Sequence, residues 1–240
     1  MKTIKFLAAV ALMAMAVTAT AQVVSRSSQR IGTSSSSART VSQRSSSSSD
    51  GWNRAYIQYN PTWWILSKGS MDDNYVNGLT AGYATAFNIG GPVYLEVGGG
   101  LQWYHKKVTE TYEDYWYDEE YEMEQTMNML SVRIPVNVVF DIDFGGFALR
   151  PYAGFYGRVN VVGKTKYEED GHSEKVDLFD EEGGDYKRFQ FGMEFGANAV
   201  IADKFTAGFG YNFDFNPIWK YDGGYKGKFG QLAITAGIIF

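Results

Sequence analysis

Lys228-Phe-Gly-Gln-Leu-Ala-Ile-Thr-Ala-Gly-Ile-Ile-Phe240 is the segment from which the architecture of this chain is inferred. Leu232, Ile234, Ala236, Ile238 and Phe240 share one parity, while Gln231, Ala233, Thr235 and Gly237 share the other. Apolar side chains on one face and small or polar ones on the opposite face are the period-2 signal of a strand. Upstream of this segment the same grammar recurs seven times.

The alternation predicts further strands over Arg54–Trp64, Asn77–Asn88, Val93–His105, Met127–Phe140, Ala148–Val161, Arg188–Val200 and Phe205–Phe215. Met127–Phe140 is the cleanest of them. There Leu130, Val132, Ile134, Val136, Val138 and Phe140 alternate with Ser131, Arg133, Pro135 and Asn137. Each segment is long enough to cross an apolar layer when tilted, which takes about 9–11 residues. Composition agrees, with 27 Gly, 16% aromatics and only 5 Pro. No run of 18 apolar residues offers a transmembrane helix.

Connections alternate in length. Ile65–Val76, Lys106–Thr126, Gly163–Lys187 and Asn216–Gly227 are long, while Ile89–Pro92, Asp141–Phe147 and Ile201–Lys204 are short. Short turns at one end and long loops at the other are the pattern of outer-membrane barrels. A soluble barrel would turn its apolar face inward; here the face opposite the apolar one is rich in Gly, Ser, Asn and charge. The expected fold over residues 51–240 is therefore all-β: an eight-stranded antiparallel up-and-down transmembrane β-barrel. An even strand count puts both termini on the periplasmic side.

Two segments precede it. Met1–Ala21 carries Lys2 and Lys5, a 12-residue apolar run from Phe6 to Val17, and Ala19-Thr20-Ala21. That is a secretory signal peptide over residues 1–21, cleaved between Ala21 and Gln22. Residues 22–50 follow, with 13 Ser among 29 positions and Arg26, Arg30, Arg39 and Arg44 scattered through them. Without aromatics or an apolar period this segment has too little area to bury, and we expect a disordered periplasmic tether. The chain has no Cys, which excludes a lipid-anchored N-terminus and disulfides.

An eight-stranded barrel encloses a space that side chains just fill. By parity Glu96, Glu194 and Asp214 point inward, and so do Arg133, Arg150 and Arg158. Three acids against three arginines predict a salt-bridged plug rather than an open channel, because an unpaired charge in a narrow lumen is costly. Tyr104, Tyr152 and Tyr156 add bulk there. A proton or ion relay is the functional alternative for these six groups.

Enzymatic and cofactor signals are thin. His105 falls at the loop end of its strand, where a lipid-modifying barrel enzyme would hold a general base, but no G-x-S-x-G serine motif accompanies it. His172 lies in Asp170-Gly-His-Ser173 and reads as a loop turn. No phosphate-binding loop, Cys/His metal cluster or nucleic-acid signature occurs, so no cofactor is expected. Asp177, Asp180, Glu181, Glu182 and Asp185 offer oxygens for calcium, without EF-hand spacing.

The loops hold the polar information. Residues 110–124 carry Glu110, Glu113, Asp114, Asp118, Glu119, Glu120, Glu122 and Glu124 among Tyr112, Tyr115, Trp116, Tyr117 and Tyr121. Lys164–Arg188 adds nine acids against five bases. Acids alone describe a solvated surface beside anionic lipopolysaccharide. Mixed with amphipathic aromatics they describe either a recognition surface or an aromatic girdle extended as β-hairpin above the membrane.

The segments Leu130-Ser-Val-Arg-Ile-Pro-Val-Asn-Val138, Arg150-Pro-Tyr-Ala-Gly-Phe-Tyr-Gly157, Phe191-Gly-Met-Glu-Phe-Gly196 and the closing strand resemble the outer-membrane β-barrel domain family, the small porin-like or PorT-like barrels. The resemblance spans roughly Trp52 to Phe240 and leaves the Ser-rich segment outside. It implies an eight-stranded barrel in the bacterial outer membrane, surrounded by lipid and lipopolysaccharide. It also implies insertion by the barrel-assembly machinery, which reads a terminal aromatic, here Phe240. Most members carry no assigned biochemical role. The expectation is a non-enzymatic protein, structural or surface-binding through its acidic, aromatic hairpins, with an unidentified extracellular partner. Small-solute passage or an accessory role in secretion is the alternative, and a lipid-modifying enzyme comes third.

Overall fold

The computed structural model describes residues 51–67, 75–114, 119–169, 172–180, 186–220 and 226–240. The signal and Ser-rich segments read over Met1–Asp50 lie outside the described residues. Eight long strands follow: β1 (Trp52–Leu66), β2 (Tyr75–Gly90), β3 (Val93–Asp114), β4 (Glu119–Phe140), β5 (Phe147–Glu169), β6 (Phe189–Ile201), β7 (Phe205–Asp214) and β8 (Lys226–Ile239). Each pairs antiparallel with the next, and β8 returns to pair with β1 from Arg54↔Ile239 to Leu66↔Gly227. Asn53 and Phe240 exchange backbone hydrogen bonds below that seam, at 3.3 and 3.0 Å. The sheet is closed, so the barrel wall has no free edge and its ladder groups are satisfied without water. Refolded protein should therefore run at a different position on SDS gels before and after boiling. Equal mobility of the two samples would indicate an open sheet.

The faces of the wall are sorted in the order a membrane demands. Ile57, Leu101, Phe155 and Phe209 point outward and are 61, 56, 61 and 63% exposed. Asn60, Thr80, Gln102, Ser131, Asn160, Gln190 and Asn212 point inward and are fully buried. Leaving such an apolar exterior in water would forgo about 25 cal/mol for every Å². Against hydrocarbon it carries no such penalty. A soluble barrel is excluded by this inversion.

Lumen glycines make room for the rings that fill the space. A Cβ on Gly82 would stand 2.5 Å from the Tyr56 ring, and one on Gly227 would stand 2.3 Å from the Trp219 indole. The end of the barrel that carries Trp52 and Phe240 has short connections. One of them, Ile201–Lys204, is closed by Lys204 N–H donating to the Ile201 carbonyl at 3.2 Å. Its two central residues, Ala202 and Asp203, both have positive φ, at 53° and 56°. That is the mirror-image turn whose twist matches the strands it joins.

Several sequence expectations need correction at the opposite end. Lys106–Thr126 is not a long loop. β3 and β4 stay in register from Val93↔Phe140 through to Asp114↔Glu119, leaving only residues 115–118 between them. The Gly163–Lys187 connection likewise begins as strand: β5 runs on to Glu169 and pairs with a short strand, His172–Asp177. From Lys106 to Thr109 and from Glu122 to Thr126 neither face of these strands holds a buried residue, so the apolar alternation that marks a strand fades even though the ladder continues.

β5 hides its length for a second reason. Its register against β4 shifts between Leu130 and Ser131, where Leu130 faces Val162 and Ser131 faces Asn160. Val161 is the extra residue of a β-bulge. Below it Tyr156, Arg158 and Asn160 are buried; above it Gly163 and Thr165 are buried, on the other parity. The predicted end of this strand at Val161 is that change of phase. Two further short strands, Ile142–Asp143 and Trp219–Lys220, lie in stretches read as connections.

Candidate functional site

The lumen is built in layers. Nearest the short-turn end, Arg150 Nε and Nη2 donate to Asp141 Oδ1 and Oδ2 at 3.0 and 3.1 Å, a two-pronged pair. The same guanidinium lies 3.7 Å over the Trp52 ring, and Trp52 packs on Tyr94 with Ala86 and Val139. Above this floor Arg54 pairs with Glu96 at 2.8 Å, and Arg133 pairs with Glu194. Asn137 Nδ2 donates to the second Glu194 oxygen at 2.7 Å. Here the lumen holds a cavity of ≈20 Å³ lined by Arg54, Tyr56, Glu96, Arg133, Asn137 and Glu194. That is room for about one water.

Higher still, Arg158 Nη2 donates to Asp214 Oδ2 at 2.6 Å and Tyr156 Oη donates to Oδ1 at 2.7 Å. Arg158 Nη1 and Gln231 Nε2 both donate to the Tyr104 hydroxyl, at 2.8 and 2.6 Å. Charge-assisted hydrogen bonds of this kind are the strong class, and burial strengthens them further. Over this network sits an apolar cap. Trp64, Val76, Met127, Met129 and Phe229 project from the strands, and Leu178, Ile218 and Trp219 fold in from the connections to meet them. Trp64 packs at a tilt on Phe229 with ring centroids 4.4 Å apart and meets Trp219 edge-on at 5.9 Å.

All six charges picked by parity are on lumen-facing positions, yet they do not balance among themselves. Glu96 takes Arg54 as partner and Arg150 takes Asp141, giving four ion pairs in place of three. Arg54 was legible, because its neighbours Ala55 and Ile57 already fixed the outward parity. Asp141 was not: it sits just past Phe140, in a stretch read as a turn. The cap was also missed, since Leu178, Ile218 and Trp219 belong to no alternating pattern.

His105 is half-buried, with its Nδ1 3.0 Å from Asn128 Oδ1 and its ring stacked on Trp103. His172 opens the short strand opposite Glu169 rather than a turn. Among the described residues no three acids or histidines gather as a metal site. Of the calcium candidates, Asp177 accepts the Phe179 N–H at 2.9 Å, while Glu181, Glu182 and Asp185 lie outside the described residues. On the projecting hairpin Lys107 pairs with Glu124 at 2.8 Å, and this hydrogen bond and charge raise the lysine's pKa. The backbone register sets Glu113 opposite Glu120 and Asp114 opposite Glu119. Phe240 is exposed, its ring centroid 5.9 Å from that of Tyr83.

Among solved structures the chain is similar to Ail, the attachment invasion locus protein of Yersinia pestis, in complex with the heparin analogue sucrose octasulfate. Identity is 18% and the TM-score 0.44, over 80% of this chain and 99% of that one. Neisserial surface protein A is similar at 10% identity and TM-score 0.38, over 79% and 97%. A major outer membrane protein from Thermus thermophilus follows at 11% identity and TM-score 0.33, over 78% and 99%. No curated protein matches the chain. The family model described as outer membrane protein beta-barrel domain matches residues 31–220, beginning inside the Ser-rich segment and stopping short of β8. With a closed wall, an apolar exterior, a charged interior and most of its length matched, the chain belongs to the outer membrane protein beta-barrel domain family.

Proposed function

We propose that this outer-membrane barrel is a non-enzymatic surface protein that acts through the hairpins at its long-loop end, with both termini periplasmic and a lumen that does not conduct. One contrast carries the reading. The interior is occupied by four ion pairs, an aromatic cap and a cavity of ≈20 Å³, whereas β3, β4 and β5 continue well past the membrane-spanning register. Strand extended beyond the bilayer adds nothing to spanning it. It does carry the acidic β3–β4 ladder, Lys107↔Thr126 to Asp114↔Glu119, beyond the spanning register.

Shortening Thr109–Gln125 to a tight turn should leave heat-modifiable mobility intact and reduce binding to a host-cell or matrix surface by about ten-fold, near 1.4 kcal/mol. Planar-bilayer recordings of the parent protein should show small or no steps. Large, steady single-channel currents that vanish on bulky substitution beside Arg133 or Glu194 would replace this reading with small-solute passage.

A further inference from the structure

We propose that the outer wall over β5–β8, at its long-loop end, is a binding site for a phosphorylated, multiply acylated glycolipid of the outer leaflet. The apolar half of the site is a network of rings on the lipid-facing surface. Phe189 stacks on Phe191, Phe191 meets Phe215 edge-on at 5.5 Å, and Phe215 meets Phe213 at 5.3 Å. Tyr211 continues the network from Phe213 at 6.1 Å to Trp63 on β1 at 5.7 Å. Phe155 on β5, its ring 6.3 Å from that of Phe215, extends the network to four strand spacings from β5 to β1, about 19 Å. Rigid rings over that width seat several acyl chains side by side, more than a two-chain lipid fills. The opposite wall differs: Leu79, Leu101, Leu130 and Ile134 are exposed there beside Tyr75, Tyr83 and Trp103, and among the described residues those rings make only the separate pairs Tyr83–Phe240 and Trp103–His105.

The polar half lies where the same strands leave the apolar band. Lys187 and Arg188 directly precede Phe189, Lys164 follows the outward-facing Val162, and Lys228 stands two residues beyond the Gly230↔Phe213 pair. Lys107 and Lys166 each hold a carboxylate, of Glu124 and Glu168. Among the described residues Lys164, Lys187, Arg188 and Lys228 hold none within salt-bridge distance. Arg188 is instead held in place by a 3.0 Å hydrogen bond to the Val161 carbonyl and by the Phe179 ring 4.6 Å away. In the 164–188 connection four of the five bases stand at the ends, and the acids from Glu168 to Asp185, with Lys175 among them, fill its interior. Cations at the membrane boundary with aromatics below match a phosphorylated sugar headgroup above packed acyl chains. Each such cation near an anionic lipid surface contributes about five-fold in affinity.

The proposal rests on the long-loop end facing outward, which labelling of a Tyr117→Cys variant in intact cells tests by itself. The binding experiment uses full-length protein in neutral-detergent micelles, titrated with bis-phosphorylated, hexa-acylated lipid A. The triple variant Lys164→Gln, Lys187→Gln, Lys228→Gln, checked for heat-modifiable mobility, should bind about ten-fold or more weakly. Dephosphorylated lipid A should bind the parent equally weakly and should not distinguish parent from variant. Phe191→Leu with Phe215→Leu should weaken both lipids alike. Unchanged binding by the triple variant would overturn the proposal. So would phosphatidylglycerol competing as well as lipid A, or protein dimers forming through this face in place of lipid binding.

Discussion

Asp214→Ala is expected to destabilise the barrel by about 3–5 kcal/mol, because it strands a guanidinium in a fully buried site. Arg158 and Asp214 have no solvent exposure at either side chain, and the carboxylate also takes the Tyr156 hydroxyl and the Phe229 N–H. Removing it leaves one cation and two donors facing a packed interior. Replacing both residues, Arg158→Leu with Asp214→Leu, should recover most of the loss, since the desolvation of two charges then disappears with their attraction. Urea unfolding in lipid vesicles, followed by tryptophan fluorescence, measures both values. A loss below about 1 kcal/mol for the single variant would mean that water reaches Arg158 and that the lumen is wetter than its packing indicates.

Phe209→Arg is the second large effect. This residue stands at the centre of β7, paired with Ala197 and Ile234, and is 63% exposed on the outer wall. An arginine at the bilayer midplane should cost about 2–4 kcal/mol, and the same substitution near either interface about 0–1. Phe205→Arg, at the short-turn end of the same strand and on the same face, is the internal comparison. In vesicles the two should differ by at least about 1 kcal/mol. Equal costs for the two would place the wall in water.

What the sequence made legible follows the same physics. Wherever a strand has hydrocarbon on one side and a polar lumen on the other, its residues alternate, and all eight spanning segments are identifiable on that ground alone. Met127–Phe140 is readable for this reason. Glu122–Thr126, further up the same ladder, is not, because no residue there is buried on either face to select a parity. At Val161 the bulge breaks the phase within a continuous strand and passes for its end. The lumen charges are found by parity from within strands, and Asp141 is lost because a turn has none. The aromatic cap depends on Leu178, Ile218 and Trp219 folding back into the mouth, a long-range arrangement that no local period encodes.

The β1–β8 seam governs how the molecule comes into being. Its first strand finds its outer partner in its last, so the pair that closes the wall is among the most distant in the sequence. Long loop closure of this kind is slow compared with the pairing of local hairpins. Until β8 arrives, every intermediate carries two unpaired strand edges and an unsealed charged interior, a form that proteases and chaperones can recognise. A chain broken anywhere before Lys226 never leaves that condition. Closure thus works as a check on the chain itself, passed only by molecules that bring β8 to β1.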